Sequence, residues 1–184
     1  MTDVIVAGGG PAGLSAALFA AKNDLETVVF DTDETWMHRA HLFNYLGIDS
    51  VDGSAFMDRA RSQVREFGAD IRDEKVTNVR STDGGFAVET DDGTYEAAYL
   101  VLATGTDRSL AEDLGVEFTD EGLIDVNLSM ETSVENAYAT GAMVRDTEWE
   151  AVIAAGDGGA AALDILSTEA GEPVHDFDTP EAAP

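Results

Sequence analysis

The chain has 184 residues, with 37 acidic against 10 basic side chains and a formal net charge of −27. That length supports one domain with a real core, and such a field repels nucleic acid and anionic membrane surfaces. Cysteine is absent, which excludes disulfides, thiolate metal sites and dithiol redox chemistry within these residues.

Hydrophobic residues make up 44% of the chain and fall in periodic segments, which argues against an acidic disordered polymer. A charge this large fits a salt-rich cytoplasm, where cations screen self-repulsion. The first apolar run starts almost at Met1, leaving no room for a signal peptide, and no run reads as long enough to span a membrane. A cytoplasmic protein is the expectation.

Val4-Ile5-Val6-Ala7 reads as a buried strand. Leu14, Leu18 and Ala21 fall at helical spacing, and Gly8-Gly9-Gly10-Pro11-Ala12-Gly13 lies between strand and helix. In this G-x-G-x-x-G pattern Gly8 serves the tight turn, Gly10 leaves space for a pyrophosphate, and Gly13 lets the helix approach the strand. The helix start offers free N–H groups and a positive dipole end to phosphates. Thr27-Val28-Val29-Phe30 is a second strand, and Asp31 ends it eighteen residues after Gly13, where a carboxylate can accept from ribose hydroxyls.

Residues 33–53 read as irregular, with His38 and His41 as surface loop histidines and Trp36 as a packing residue, like Trp149. Ser54 is the expected cap of a helix with Phe56, Ala60, Val64 and Phe67 as its apolar stripe and Gly68 as its stop. Ala69-Asp70-Ile71 returns to strand. Val76 and Val79, Phe86-Ala87-Val88 and Tyr95 to Leu102 form an antiparallel meander, turned at Asp83-Gly84-Gly85 and Asp91-Asp92-Gly93. Residues 106–122 are polar and short, and two small strands follow at Leu123–Val126 and Ala137–Thr140. A helix is expected from about Glu148 to Ser167, with Gly156, Gly158 and Gly159 marking close approach to a ligand or another helix. Asp91-Asp92 and Asp120-Glu121 read as solvated turns. No Ser-His-Asp signature and no metal-ligand spacing stands out, so no catalytic residue is assigned.

The Gly8–Gly13 loop, Asn44-Tyr45-Leu46-Gly47, Phe67-Gly68-Ala69-Asp70-Ile71, Ala103-Thr104-Gly105 and Thr132-to-Gly141 occur in the order found in the thioredoxin reductase-like flavoproteins. The resemblance covers about residues 3–167. It implies an α/β, Rossmann-like FAD/NAD(P)-binding domain: a parallel sheet, a small antiparallel meander and a helical layer. Residues 1–168 would form a single FAD-binding domain, and 169–184 an acidic, proline-containing, partly disordered tail. The resemblance implies FAD contacts at Gly8, Gly10, Pro11, Ala12 and Gly13 for the pyrophosphate, Asp31 for the ribose and Val76 for adenine. It implies further contacts at Asn44, Ala103, Thr104, Gly105, Gly141, Ala142, Glu150, Ala151 and Val152 around the ribityl chain and flavin. A homodimer is also implied.

Three departures stand out. Two-domain members insert an NADPH-binding domain with a Cys-x-x-Cys after Ala-Thr-Gly, whereas here only Thr106 to Leu114 separates Gly105 from the returning strands. Ala142 stands where the family usually has Asp. Trp149-Glu150 stands where Arg-Gln is common, and Glu150 would disfavour electron uptake by a flavin. The expectation is a stand-alone FAD-binding flavoprotein that takes electrons from a separate donor, is not a dithiol reductase, and has an unidentified acceptor. The alternative is a non-enzymatic sensor or interaction module that binds FAD or NAD(H).

Overall fold

A computed structural model describes residues 2–178. The expected disorder at the end of the tail falls on 179–184, outside those residues. The chain opens with β1 (Thr2–Ala7), α1 (Pro11–Lys22) and β2 (Thr27–Phe30). A short 3-10 turn (Trp36–Arg39) leads to β3 (His41–Leu42), β4 (Val51–Asp52), α2 (Gly53–Glu66) and β5 (Asp70–Arg72). The meander follows as β6 (Val76–Thr82), β7 (Gly85–Thr90) and β8 (Thr94–Leu102). Next come α3 (Ser109–Leu114), β9 (Ala137–Ala139), a 3-10 turn (Gly141–Met143) and α4 (Ala151–Ala170).

The main sheet runs β5-β2-β1-β8-β7-β6. β1 pairs in parallel with β2 (Val4↔Thr27) and with β8 (Val6↔Val101). The first half of β8 pairs antiparallel with β7, and its second half pairs in parallel with β9 (Leu100↔Ala137). The C-terminal ends of β1, β2, β8 and β9 therefore open on one edge, where open α/β sheets bind ligands. Val4, Ile5, Val6 and Leu100 to Leu102 are fully buried between two apolar layers, as a parallel sheet covered on both faces requires. The mixed α/β expectation and the meander both hold.

α4 packs along α1. A Cβ on Gly158 would sit 2.0 Å from the Ala12 carbonyl oxygen, so the glycine serves helix–helix approach. Tyr99 and Tyr138 donate to Glu169 (2.7 Å) and Asp164 (2.9 Å), tying α4 to β8 and β9. Lys22 on α1 pairs with Asp176 and Asp178, which holds the described start of the tail.

Several expectations are corrected. Asp52, not Ser54, caps α2, its carboxylate accepting from the amides of Ser54 (2.9 Å) and Ala55 (3.3 Å). Met57, Arg61 and Val64 are the buried residues of α2 with Phe56 and Ala60 packed beside them, so of the expected stripe only Phe67 is exposed, and Gly68 stops the helix at positive φ as expected. Leu123–Val126 forms only an isolated bridge from Ile124 to Phe118. The polar 106–122 stretch contains α3, and 33–53 contains the β3–β4 hairpin. α4 starts and ends three residues later than read. It is also long and apolar enough to cross a membrane, contrary to the expectation, but half of its apolar stretch is buried in this fold, as in a core helix.

Candidate functional site

A cavity of about 830 Å³ lies along the strand ends. One wall is the glycine loop. Gly8 turns the chain at φ +112°, and a Cβ there would meet the Ala103 carbonyl at 2.3 Å. Among the described residues beyond its chain neighbours, a Cβ built on Gly10 would come within 4 Å of Thr35 Oγ1 alone, at 3.8 Å, so this glycine leaves a cradle that a side chain would fill. α1 starts at Pro11 with no side-chain cap. α4 also starts uncapped, at Ala151, with Glu150 as its N-cap residue. Two helix N-termini thus face the cavity with first-turn amides free of side-chain caps, an arrangement suited to negatively charged groups.

Gly8, Gly10, Pro11, Ala12, Asp31, Asn44, Val76, Ala103, Thr104, Gly105, Gly141, Ala142, Glu150 and Ala151 all line this one cavity. Gly13 and Val152 do not. Gly13 stands behind the loop, where a Cβ would fall 1.9 Å from the Gly8 carbonyl oxygen, and Val152 follows Ala151 into α4 with 37% exposure.

Asp31 is buried, and its surroundings were not legible in the sequence. Its Oδ2 accepts from Arg61 Nε of α2 at 2.9 Å, and its Oδ1 accepts from the Asp33 amide at 2.9 Å. A Cβ on Gly9 would lie 2.1 Å from Asp31 Cγ, so the middle glycine seats the carboxyl. Arg61 also pairs through Nη2 with Asp33, whose carboxylate lies 2.7 Å from His38 Nε2. Burial pushes the Asp33 pKa up, but the His38 bond and the Arg61 charge outweigh it and hold the group below the usual carboxylate range. His38 Nδ1 lies 2.9 Å from Ser54 Oγ. His41 does line the cavity, 2.8 Å from Ser50 Oγ.

At the other end, Arg108 donates to the carbonyls of Ala142 (3.1 Å) and Met143 (2.9 Å). Arg145 holds buried Asp157 of α4 through two bonds of 3.2 and 2.6 Å. Trp36 and Trp149 meet edge to face with ring centroids 5.5 Å apart, 60% and 45% exposed. They pack on one another at the cavity wall, not in the core. Among the described residues no group of His, Asp and Glu is placed to hold a metal. Gly9, Thr35, Glu74 and Lys75 are lining residues that the sequence reading missed. Lys75 was the most accessible of them, being one of only two lysines and next to Val76.

A dinucleotide fits the open glycine cradle, the buried acid at the end of β2 and the two uncapped helix starts. The pyridine nucleotide-disulphide oxidoreductase family model matches residues 2–105 and, in a second match, 47–159. Thioredoxin reductase of Treponema pallidum (strain Nichols) is 35% identical over 116 residues, 58% of this chain and 36% of that protein. The curated relatives are matched over only 24 to 40% of their own length. A thioredoxin reductase structure from Gloeobacter violaceus superposes with TM-score 0.86 at 19% identity, covering 98% of this chain and 99% of that one. A ferredoxin-flavin thioredoxin reductase from Clostridium acetobutylicum gives 0.81 at 19% identity, covering 93% and 99%. At these identities the structures show a shared fold. With a family model matched over more than half its length, the chain belongs to the FAD-binding pyridine nucleotide-disulphide oxidoreductase family.

Proposed function

We propose that this chain is a flavin domain that binds FAD and exchanges electrons with a donor and an acceptor outside these 184 residues. The observation that carries the reading is the single cavity that joins the open cradle at Gly10, the acid at Asp31 and the two uncapped helix starts. When bound, FAD supplies the redox chemistry. The chain's residues do the holding. The α1 start faces the pyrophosphate, Asp31 accepts from the ribose, and the α4 start favours negative charge at the opposite end. With no cysteine in the sequence, a dithiol route has no residues here to run on. The ferredoxin-flavin relative makes an electron-carrier protein a fitting donor class.

The net charge of −27 supports a protein adapted to high salt, since at molar ionic strength the screening length falls to about 3 Å. Equal stability in dilute buffer and in molar KCl would remove that reading. A homodimer is the assembly we expect, with Phe43 and Leu46 exposed and open to such a contact. Sedimentation in KCl tests it.

The test of function is the visible spectrum of protein purified in molar KCl, followed by heat release of the nucleotide. A stoichiometric flavin spectrum with released FAD supports the proposal. Protein that stays colourless after incubation with FAD overturns it and favours a sensor or interaction module.

A further inference from the structure

Arg61 lies thirty residues from Asp31 in sequence and outside the cavity, yet it is 8% exposed and its guanidinium is committed to two carboxylates. Nε meets Asp31 Oδ2 at 2.9 Å, and Nη2 meets Asp33. A guanidinium is a rigid planar fork, so contact at two of its nitrogens fixes the plane, and with it the direction of the carboxylate it grips. The Asp33 amide holds the other Asp31 oxygen, and Gly9 forms the floor beneath the carboxyl. An ionised carboxylate offers about four acceptor directions. Two are taken here, leaving one on each oxygen.

We infer that Arg61 is a positioning residue for nucleotide recognition: it locks the Asp31 carboxylate with one acceptor direction per oxygen turned to a ribose diol, so the site selects adenosine nucleotides with a free 2′-hydroxyl. This inference rests on the proposed FAD reading. The buried pair also argues against 2′-phosphorylated nucleotides. Asp31 would repel the phosphate, and Arg61 is already committed behind it, so it cannot turn to meet the anion without leaving a buried carboxylate unpaired.

The test is titration calorimetry of the full chain, stripped of bound nucleotide, in molar KCl, with ADP and 2′-deoxy-ADP as probes. Wild-type protein is expected to prefer ADP about tenfold, the size of one hydrogen bond to a charged acceptor. Arg61→Lys keeps the charge but loses the fork, and should cut that preference to about twofold or less. Arg61→Gln is the second variant and should give the same loss. A purely structural role for Arg61 would weaken both probes alike and leave the ratio near ten, which would overturn the inference while FAD binding stood. A wild-type ratio near one would also overturn it, because Asp31 would then not read the 2′-hydroxyl. Protein that binds neither ADP nor FAD would overturn the proposed function itself.

Discussion

At the glycine-loop end of the cavity, side chains hold the geometry: Asp31, Arg61, Asp33 and His38 form one hydrogen-bonded chain, and Arg61 and Asp31 within it are buried. At the Trp149 end, one arginine holds backbone and another pairs with the acid Asp157. Arg108 grips the carbonyls of Ala142 and Met143, Arg145 anchors the loop to α4, and an exposed indole pair lies at the wall. A buried ion pair tolerates no missing partner, because the survivor is left as an uncompensated charge. A backbone strut leaves the neighbouring side-chain position free to change. The departures at Ala142, Trp149 and Glu150 all fall at the second end, where Ala142 is held through its carbonyl and Glu150 makes no side-chain cap bond, while Trp149 packs on Trp36.

Removing one partner of the pair gives the sharpest contrast. Asp31→Ala strips the buried Arg61 of its Nε partner and leaves only the more exposed Asp33 at Nη2, and should cost about 3 kcal/mol of stability. Urea unfolding in molar KCl measures it. A loss below about 1 kcal/mol would put the glycine-loop end on the same footing as the other and dissolve the comparison. Ala142→Asp is the matching change at the far end. Its carboxylate would enter the cavity from a position fixed by Arg108, add a charged hydrogen-bond acceptor toward FAD, and tighten FAD binding about tenfold with little change in unfolding midpoint. Fluorescence titration with FAD reads this directly, and unchanged affinity would mean the strut has moved the loop out of reach.

Glu150→Gln probes the same end through charge alone. Glu150 is the N-cap residue of α4 but makes no side-chain cap bond, so its removal unmasks the positive helix end without breaking a contact. Such a dipole interaction is about 0.3–1 kcal/mol, equivalent to about 6–21 mV for a two-electron couple. The flavin midpoint potential should rise by that much. A fall would mean that Glu150 does not act on the flavin as a negative charge.

The first βαβ unit was legible because its signals are local. The glycine spacing, the β-branched runs and Asp31 lie within about thirty residues, and the Asp-Gly turns marked the meander in the same way. What stayed hidden depends on tertiary placement. The α2 stripe was read through Phe56, Ala60, Val64 and Phe67; Val64 is buried and Phe56 and Ala60 pack against the core, but Met57 and Arg61, each one residue further on, are more deeply buried and Phe67 is exposed. A charged residue at i+4 from Met57 and i−3 from Val64 was a usable sign that a buried acid waits opposite. The 2.9 Å bond to Asp31 was not readable from spacing, nor was the meeting of Trp36 with Trp149 across more than a hundred residues. Helical glycines carried half their message: Gly158 marked close helix packing, not a ligand.

The smallest expected effect is pH dependence at the glycine-loop end. Asp33 is depressed below its ordinary pKa in the folded protein, so the unfolded chain binds the proton first as the solution is acidified. Stability from this group is therefore fully present above the unfolded carboxylate value, near 4, and is lost as pH falls through the lower folded value. The Asp33 side chain is more than half exposed, so molar salt should reduce the effect. Comparing unfolding midpoints of wild type and Asp33→Asn between pH 6 and pH 3 isolates the contribution. The variant should be the less stable at pH 6, and the gap should close toward pH 3. A gap that persists unchanged at pH 3 would show that Asp33 holds Arg61 by shape and not by charge, and that charge pairing at this end stops at the Asp31–Arg61 pair.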